Sequence, residues 1–458
     1  MNAPAAGLPD HIAPRRVVIV GGGFAGLFAA RALRHVPVQV TVVDRTAHHL
    51  FQPLLYQCAT GILSEGQIAV PLRGLLRRHE NVDCVLAEVT DFDVAARRVI
   101  GLRPTGRPIE IPYDDLIVGA GMQQSYFGHD EFALFAPGMK TLGDALTVRR
   151  RVFGAFEMAS TATDPAERRR WLTFALVGAG PTGVELAGQI HEVATLTLRN
   201  EYRQFDPHET TVLLFDGGKE PLAPFGPKLA ARAAKSLTGM GVELHMGSIV
   251  TTVDARGLEV KGPDGTIQRY DAGTVLWTAG VAAPALADQL AKQTGAEQDR
   301  AGRLEVQPDL TLPGHPEISV VGDLMSLGGL PGVAEVAMQS GFYAGRRIRR
   351  QVEQRVEKPR PFRYHDLGSA AYISRGRAVV SVGRFRASGF IGWLAWLGIH
   401  LAFLTTFRNR LGAVLTWAIA FSRETRRERA VTMTQIIPGQ DLYAPQQGPP
   451  PTRERTRP

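Results

Sequence analysis

The sequence predicts an α/β protein with two Rossmann-like dinucleotide-binding domains, one inserted into the other, and a C-terminal helical segment. An apolar strand, a glycine turn and a helix are indicated at 17–31 (VVIVGGGFAGLFAAR), and the same pattern recurs at 174–188 (FALVGAGPTGVELAG). Strands without a polar face are typical of parallel strands buried on both sides. From Gly389 the chain becomes apolar and rich in tryptophan. Two such turns, far apart in the chain, predict two separate nucleotide sites.

Composition narrows the class of protein. The chain has 458 residues, of which 44% are hydrophobic and 21% charged, as in a globular protein of two or three domains. Its two cysteines, Cys58 and Cys84, form no CxxC motif, which excludes a redox dithiol and a thiolate zinc site, and no metal is expected. Residues 1–16 contain no apolar stretch of the kind found in signal peptides. A cytosol-facing protein follows as the expectation.

Each glycine turn has the context that makes a GxGxxG pattern specific, since each follows a buried strand and opens a helix. The first glycine of the pattern permits the tight turn, the second lets a pyrophosphate approach the backbone, and the third lets the helix pack on the strand. These positions are Gly21, Gly23 and Gly26 in the first turn and Gly178, Gly180 and Gly183 in the second. The N–H groups and dipole at each helix start then suit a diphosphate. The alternative is a glycine turn without a ligand.

An acidic residue ends the second strand of each unit. Asp44 lies 18 residues after Gly26, and Asp216 lies 33 residues after Gly183, a longer spacing that we expect an unusually long helix to fill. A carboxylate here accepts hydrogen bonds from a ribose, and at Asp216 it would repel a 2′-phosphate, which favours NADH over NADPH. The alternative for Asp216 is a turn-forming residue before two glycines. FAD at one turn and NADH at the other would make a path for hydride.

Several segments resemble the type II NADH dehydrogenases, single-chain FAD-containing NADH:quinone oxidoreductases that do not pump protons. The likeness covers about 16–432 and is carried by HLFQPLLYQCATG (49–61), MKTLGDALTVRRRVFGAFE (139–157), GAGPTGVELAGQI (178–190), LWTAGV (276–281), VGD (321–323) and LPGVAEVAMQSG (330–341). The resemblance implies FAD as cofactor, NADH as substrate and a membrane quinone as acceptor. Because no flavinylation pattern is present, we expect the FAD to be non-covalent.

The resemblance also implies roles for single residues. Asp323 of VGD would bind the ribityl and pyrophosphate region of FAD, and Gly121 ends a GAG motif where the chain crosses between domains. Glu185 would assist hydride or proton transfer between the two cofactors; the alternative is an acid in the first helical turn that favours the helix dipole. Of the adjacent histidines His48 and His49, at most one can face the flavin, because side chains alternate on extended backbone.

The quinone motif of the family, AQxxxQ, reads AEVAMQ at 334–339. Gln339 fits it, whereas Glu335 replaces the first glutamine. The two side chains are one helical turn apart and could flank a flat ring. An amide both donates and accepts hydrogen bonds, but a carboxyl group donates only when protonated. The departure therefore raises the question of pH dependence or quinone identity. The alternative is two solvated polar residues on a helix face.

The C-terminal segment predicts attachment to a membrane. The 21 residues between Arg386 and Arg408 carry no formal charge, but glycines and threonines dilute them, and FRNR separates them from a second apolar run, LGAVLTWAIAF. Two helices lying in one leaflet fit best, with Trp393, Trp396 and Trp417 at the interface and arginines on an anionic lipid surface. The alternative is a buried hairpin in a homodimer interface. Since tryptophan and leucine separate the arginines, no nucleic acid is expected.

The resulting organisation has six segments: a disordered lead at 1–14, a first FAD-domain segment at 15–125, an NAD(H)-binding domain at 126–295, a second FAD-domain segment at 296–385, membrane-anchor helices at 386–432 and a disordered tail at 433–458. The expected location is the cytoplasmic face of the cell membrane, as a peripheral, monotopic protein. A soluble FAD/NADH redox sensor, or a flavin reductase with another acceptor such as ferredoxin, remains the alternative.

Overall fold

The computed structural model describes residues 14–354 and 360–432. The expected disordered tail, and the expected disordered lead apart from residue 14, lie outside these ranges.

The described residues form 12 α-helices and 25 strands, which alternate in the two nucleotide-binding βαβ units and otherwise include runs of consecutive strands. The helices are α1 Phe24–Ala32, α2 Leu55–Ala59, α3 Glu65–Ile68, α4 Leu72–Leu76, α5 Leu142–Thr161, α6 Pro165–Trp171, α7 Pro181–Glu192, α8 Pro227–Thr238, α9 Ala285–Thr294, α10 Ala334–Val352, α11 Gly389–Phe403 and α12 Phe407–Arg423. The strands are β1 Arg15–Val20, β2 Val38–Asp44, β3 His48–Leu50, β4 Ala69–Pro71, β5 Val82–Leu86, β6 Glu88–Asp93, β7 Arg98–Leu102, β8 Pro108–Pro112, β9 Asp115–Val118, β10 Gln123–Gln124, β11 Thr173–Val177, β12 Thr211–Asp216, β13 Val242–Met246, β14 Ile249–Asp254, β15 Gly257–Lys261, β16 Ile267–Asp271, β17 Thr274–Trp277, β18 Val281–Ala282, β19 Leu304–Glu305, β20 Thr311–Leu312, β21 His315–Val320, β22 Met325–Ser326, β23 Ser369–Ser374, β24 Arg377–Val382 and β25 Phe385–Ser388.

The first nucleotide-binding unit is a six-stranded sheet in the order β20-β21-β9-β1-β2-β5. Strand β1 is paired in parallel with β2 on one side and with β9 on the other, for example Ile19 with Val42 and with Ile117. Helix α1 and the antiparallel sheet β6-β7-β8 both pack on these strands, which is why the strand residues Val17–Val20 are buried without alternation. The expected Rossmann-like topology is confirmed.

The second unit is a four-stranded parallel sheet in the order β13-β12-β11-β17. One expectation about this unit is wrong. The helix after the second glycine turn is not unusually long: α7 ends at Glu192 and continues only as a π-helical turn, Val193–Thr197. The loop that follows, up to the short 3-10 turn at Pro207–Glu209, accounts for the rest of the spacing to Asp216.

The C-terminal region is more deeply built into the fold than the sequence indicated. The sheet β23-β24-β25 packs between α7 of the second unit and the last helices, and Gly392 of α11 lies so close to β24 that an added Cβ would be 2.5 Å from the Ala378 carbonyl oxygen. Helices α11 and α12 are separated at residues 404–406, so FRNR forms the start of α12 instead of the expected break.

Two of the three tryptophans expected at the lipid interface are buried instead. Trp396 is fully buried and Trp417 is 4% exposed, because both belong to the main hydrophobic core. In the described residues, 14–354 and 360–432, no helix has the length and hydropathy needed to cross a bilayer.

Candidate functional site

The two glycine turns have nearly the same geometry. Gly21 has φ +101° and Gly178 has φ +106°, a conformation that L-residues rarely adopt. At the third glycine of each turn, an added Cβ would lie 1.8 Å from the carbonyl oxygen of the first, so the helix contacts the turn directly. Backbone conformation and close packing therefore require glycine at these positions, whether or not a ligand binds.

The middle glycine of each turn is different, because the fold does not require it. A Cβ added at Gly23 or at Gly180 would meet no protein atom within 4 Å, and both residues have ordinary φ values of −68° and −71°. Each is the N-cap of its helix, without a side-chain capping bond. The space in front of each helix N-terminus therefore fits a diphosphate against bare N–H groups.

The acidic residues of the two units also occupy equivalent places. Asp44 accepts a hydrogen bond from the Gly22 N–H at 2.5 Å, and Asp216 accepts one from the Ala179 N–H at 2.6 Å. The second oxygen of Asp44 binds Thr46, and that of Asp216 binds the Gly218 N–H at 2.6 Å. Each carboxylate thus supports its own glycine turn. The turn-forming alternative therefore describes part of what Asp216 does, and ribose binding stays a prediction.

The second motif of the first unit lies beside the first glycine turn. The VGD segment forms a short 3-10 turn, Gly322–Leu324, and the Gly322 N–H donates to Ser340 Oγ of α10 at 2.9 Å. Burial raises the pKa of the Asp323 carboxyl, while the Lys140 ammonium acts in the opposite direction. Lys140 was not among the residues predicted from the sequence, although it stands inside the MKT segment that contributes to the resemblance.

Gly121 and the two histidines complete this side of the site. Gly121 has φ +68° and follows Gly119, whose carbonyl oxygen would lie 2.3 Å from a Cβ added at Gly21. His49 is buried with its Nδ1 3.2 Å from the Gly22 carbonyl oxygen, and burial lowers its pKa to about 4. His48 is half-buried on the other face, so only one of the pair reaches the glycine turn.

Glu185 lies where the two units meet. It is 6% exposed in the interior of α7, so the alternative of an acid in the first helical turn is wrong. Burial raises its pKa well above the usual value, and the Tyr372 N–H donates to Oε1 at 3.3 Å. The buried Tyr56 of α2, from the first unit, lies nearby: burial raises the pKa of its phenol, and a negative charge on Glu185 raises it further. Burial therefore favours the protonated form of this acid.

The AEVAMQ motif begins α10 directly against the VGD turn, as the Gly322–Ser340 bond shows. Glu335 is half-buried, and burial raises the pKa of its carboxyl group, with a further contribution from Asp366. The Gln339 side chain donates to the His365 carbonyl oxygen at 2.9 Å and accepts from the His365 N–H at 3.0 Å. One amide N–H and one lone pair of Gln339 remain for a ligand. The alternative of two freely solvated side chains therefore does not describe this helix face.

The predicted residues thus fall into three groups. One group lies close together in the first unit: the first glycine turn, Asp44, Gly121, Asp323 and the start of α10. The second glycine turn and Asp216 form a separate site. Glu185, on α7, lies between α2 and β23. Sequence reasoning missed the polar residues around Glu185, namely Gln189, Glu192, Tyr372 and Arg426. The spacing of Glu185, Gln189 and Glu192 on one helix face was the available signal.

Among the described residues, no group of three or more histidine, cysteine, aspartate or glutamate side chains is arranged to hold a metal ion. Both cysteines are free, and burial raises the pKa of the Cys58 thiol to about 11.

This arrangement defines a class, the flavoproteins with two dinucleotide-binding units. The family of pyridine nucleotide-disulphide oxidoreductases matches residues 15–341. The chain is 48% identical to the type II NADH:quinone oxidoreductase NdhA of Mycobacterium tuberculosis over 436 residues, which is 94% of this chain and 93% of that protein. It is 47% identical to the type II NADH:quinone oxidoreductase Ndh of the same organism, with the same coverage. The chain belongs to the type II NADH:quinone oxidoreductase family.

Solved structures share the fold. NDH2 from Plasmodium falciparum in complex with NADH superposes with a TM-score of 0.83 at 17% identity, covering 91% of this chain and 99% of that one. The sulfide:quinone oxidoreductase from Aquifex aeolicus gives a TM-score of 0.67 at 17% identity, covering 87% of this chain and 92% of that one. At these identities the likeness concerns the fold alone.

Proposed function

We propose that this protein is an FAD-dependent NADH:quinone oxidoreductase. The observation that carries the proposal is the pair of equivalent glycine turns, each with a carboxylate on its backbone, in a chain closely related to enzymes of that name. When bound, FAD accepts two electrons as hydride and passes them to a second acceptor. The chain's own role is to hold the two dinucleotides, to orient them and to supply protons.

The first turn, Asp44, Gly121 and Asp323 hold FAD without a covalent bond, and the second turn with Asp216 holds NADH. Glu185 is the acid between the two units, and Glu335 and Gln339 flank the quinone. The sequence alone left a soluble redox sensor or a ferredoxin-linked reductase as the alternative. Anaerobic titration of the purified protein with NADH, followed by addition of a short-chain quinone, tests the proposal. Bleaching of the flavin absorbance that quinone fails to reverse would favour the alternative.

Replacing Asp216 by alanine is expected to narrow the preference for NADH over NADPH by about 1–3 kcal/mol of differential binding. The carboxylate repels the 2′-phosphate of NADPH and accepts from the ribose of NADH, and alanine does neither. Asp216→Asn is the matched control, because its amide oxygen still accepts from the Ala179 N–H while the charge is lost. KM values for both nucleotides are measured. An unchanged ratio in both variants would show that Asp216 only supports the turn.

We further propose that α11 and α12 bind the cytoplasmic face of the cell membrane with their outward side. Large apolar side chains are exposed there, including Phe390 at 61%, Ile391 at 67% and Phe407 at 80%. Exposed arginines flank them, among them Arg384, Arg386 and Arg408. Three arginines of this region are not available to lipid. Arg426 is buried, and Arg429 binds Glu201. Arg410 donates to the Leu404 and Ala402 carbonyl oxygens at the end of α11.

The triple variant Phe390→Ser, Ile391→Ser, Phe407→Ser is expected to lower partitioning onto anionic liposomes by at least about 100-fold, since each large side chain contributes about 1.5–3 kcal/mol on burial. NADH reduction of the flavin should be unaffected. The control is Ile249→Ser with Ile267→Ser, which removes side chains exposed at 63% and 65% on the second unit. Sedimentation with liposomes is the measurement. If binding persists but the oligomeric state changes, the face is a homodimer interface instead.

A further inference from the structure

A buried polar cluster joins the end of the membrane-facing helices to Glu185. Arg426 lies just after α12, yet it is almost fully buried. Its guanidinium donates to the Thr60 carbonyl at 2.7 Å, to the Gln189 carbonyl at 3.3 Å and to Glu192 Oε2 at 3.4 Å. A fourth contact reaches Thr197 Oγ1, in the π-helical turn, at 3.3 Å. A buried arginine with four partners is held in one geometry.

Glu192 is the centre of this cluster. It accepts from the Tyr372 hydroxyl at 3.0 Å, from the Gln189 amide at 3.0 Å and, by a short contact, from the Arg375 N–H. Burial raises the pKa of Glu192, and Arg426, the Arg375 N–H and Tyr372 act in the opposite direction. Without Arg426 the carboxylate would be buried with its principal compensating charge removed, which is unfavourable.

Tyr372 links this cluster to the acid between the two units. Its hydroxyl binds Glu192, and its main-chain N–H is, among the described residues, the one hydrogen-bond donor to Glu185. Both acids lie on one face of α7, with Gln189 between them, and the tyrosine ring packs between Tyr56 and Trp396 of α11. The placement of β23 on α7 therefore depends on the Glu192 end as well as on the Glu185 end.

The segment that carries Arg426 is tied down at further points. Glu424 pairs with Arg375 at 3.2 Å, the Glu428 N–H donates to the Gly61 carbonyl at 3.3 Å, and Arg429 pairs with Glu201 at 2.7 Å. Residues 424–429 thus form a strap that closes α12 onto α7 and the turn after α2. Deleting the chain after Arg386 would remove this strap together with the helices, so a truncation cannot separate membrane binding from the site.

We propose that Arg426 is a positioning residue for Glu185, acting through Glu192 and Tyr372, so that the strap after the membrane-facing helices holds the buried acid in its working geometry. This inference rests on the proposed role of Glu185. It goes beyond that role by making the orientation of the acid depend on the docked C-terminal helices.

The test is infrared spectroscopy of the full chain with FAD bound, at a pH low enough to protonate Glu185, following its carbonyl stretch, which Glu185→Gln identifies. Arg426→Met is expected to move this band to higher wavenumber, because the acid loses its Tyr372 N–H donor, and to slow NADH reduction of the flavin by about 10- to 100-fold. Arg427→Met, at the exposed neighbouring position, should change neither. An unmoved band in folded Arg426→Met, or an equal shift in Arg427→Met, would overturn the proposal.

Two further variants separate positioning from stability. Glu192→Met combined with Arg426→Met should recover the stability lost in Arg426→Met, since no buried charge is left unpaired, while the Glu185 band stays shifted. A band that returns to its original position in this double variant contradicts the proposal.

Tyr372→Phe breaks the link without removing a charge and should shift the band even if Arg426→Met does not fold. An unshifted band in Tyr372→Phe overturns the link. If Glu185→Gln leaves NADH reduction intact, the proposed role of Glu185 fails, but the band shift still reports whether Arg426 positions it.

Discussion

Gly23→Val is expected to give a folded but colourless protein, and Gly180→Val a yellow protein whose colour NADH no longer bleaches. Neither substitution meets protein atoms within 4 Å of the new Cβ, and neither residue has a positive φ, so the fold tolerates both. The valine methyl groups instead occupy the space in front of the helix, where a pyrophosphate must approach the backbone. Affinity for the dinucleotide should fall at each site by at least about 100-fold, or ~2.7 kcal/mol.

The two variants are controls for one another. Valine is a poorer N-cap than glycine, and this cost is common to both. Flavin content is measured from the absorbance of the purified protein, and NADH binding from anaerobic titration. A fully loaded Gly23→Val protein would contradict the FAD assignment of the first turn. Normal bleaching in Gly180→Val would contradict the NADH assignment of the second.

Gln339→Ala is expected to slow quinone turnover by about 10- to 100-fold while anaerobic reduction of the flavin by NADH remains nearly intact. The motif lies against the second FAD segment, on a different element from Glu185 in α7, so loss of the amide affects only the quinone half-reaction. Stopped-flow traces of the two half-reactions are the measurement. If reduction by NADH slows as much as turnover, the quinone binds elsewhere.

This variant needs a control, because Gln339 also pairs with the main chain of His365. Tyr343→Phe removes another tie to the same segment, the bond from the Tyr343 hydroxyl to the Arg360 carbonyl at 2.5 Å, without changing the motif. Turnover should remain near normal in Tyr343→Phe. An equal loss in both variants would show that Gln339 acts only by holding the segment.

Glu335→Gln is expected to flatten the pH profile of quinone turnover. Burial raises the pKa of Glu335, so its carboxyl group is protonated and able to donate below that pKa. Activity that needs this donor falls as the pH rises through the pKa, whereas a glutamine N–H donates at every pH. Turnover is therefore measured against pH in both proteins. A falling limb that persists unchanged in Glu335→Gln would assign it to another group.

The sequence by itself determined the two nucleotide-binding units and their glycine and aspartate residues. These features are local: a turn that needs positive φ at Gly21 or Gly178, a helix that must touch that turn, and an acid at the end of the neighbouring strand all follow from the order of residues within one βαβ unit. The quinone motif was identified by resemblance, also from a contiguous segment.

Only the tertiary structure decided what surrounds Glu185 and what the C-terminal residues do. Glu192 lies on α7, whereas Tyr372 and Arg426 come at least 180 residues later in the chain. No periodicity or spacing in the sequence could place these three residues together. Arginine and tryptophan near apolar helices are equally suited to a lipid surface and to a packed interior. Whether Trp396, Trp417 and Arg426 contacted lipid or protein depended on which face of α11 and α12 met β24 and α7, because burial is decided by contacts between distant segments.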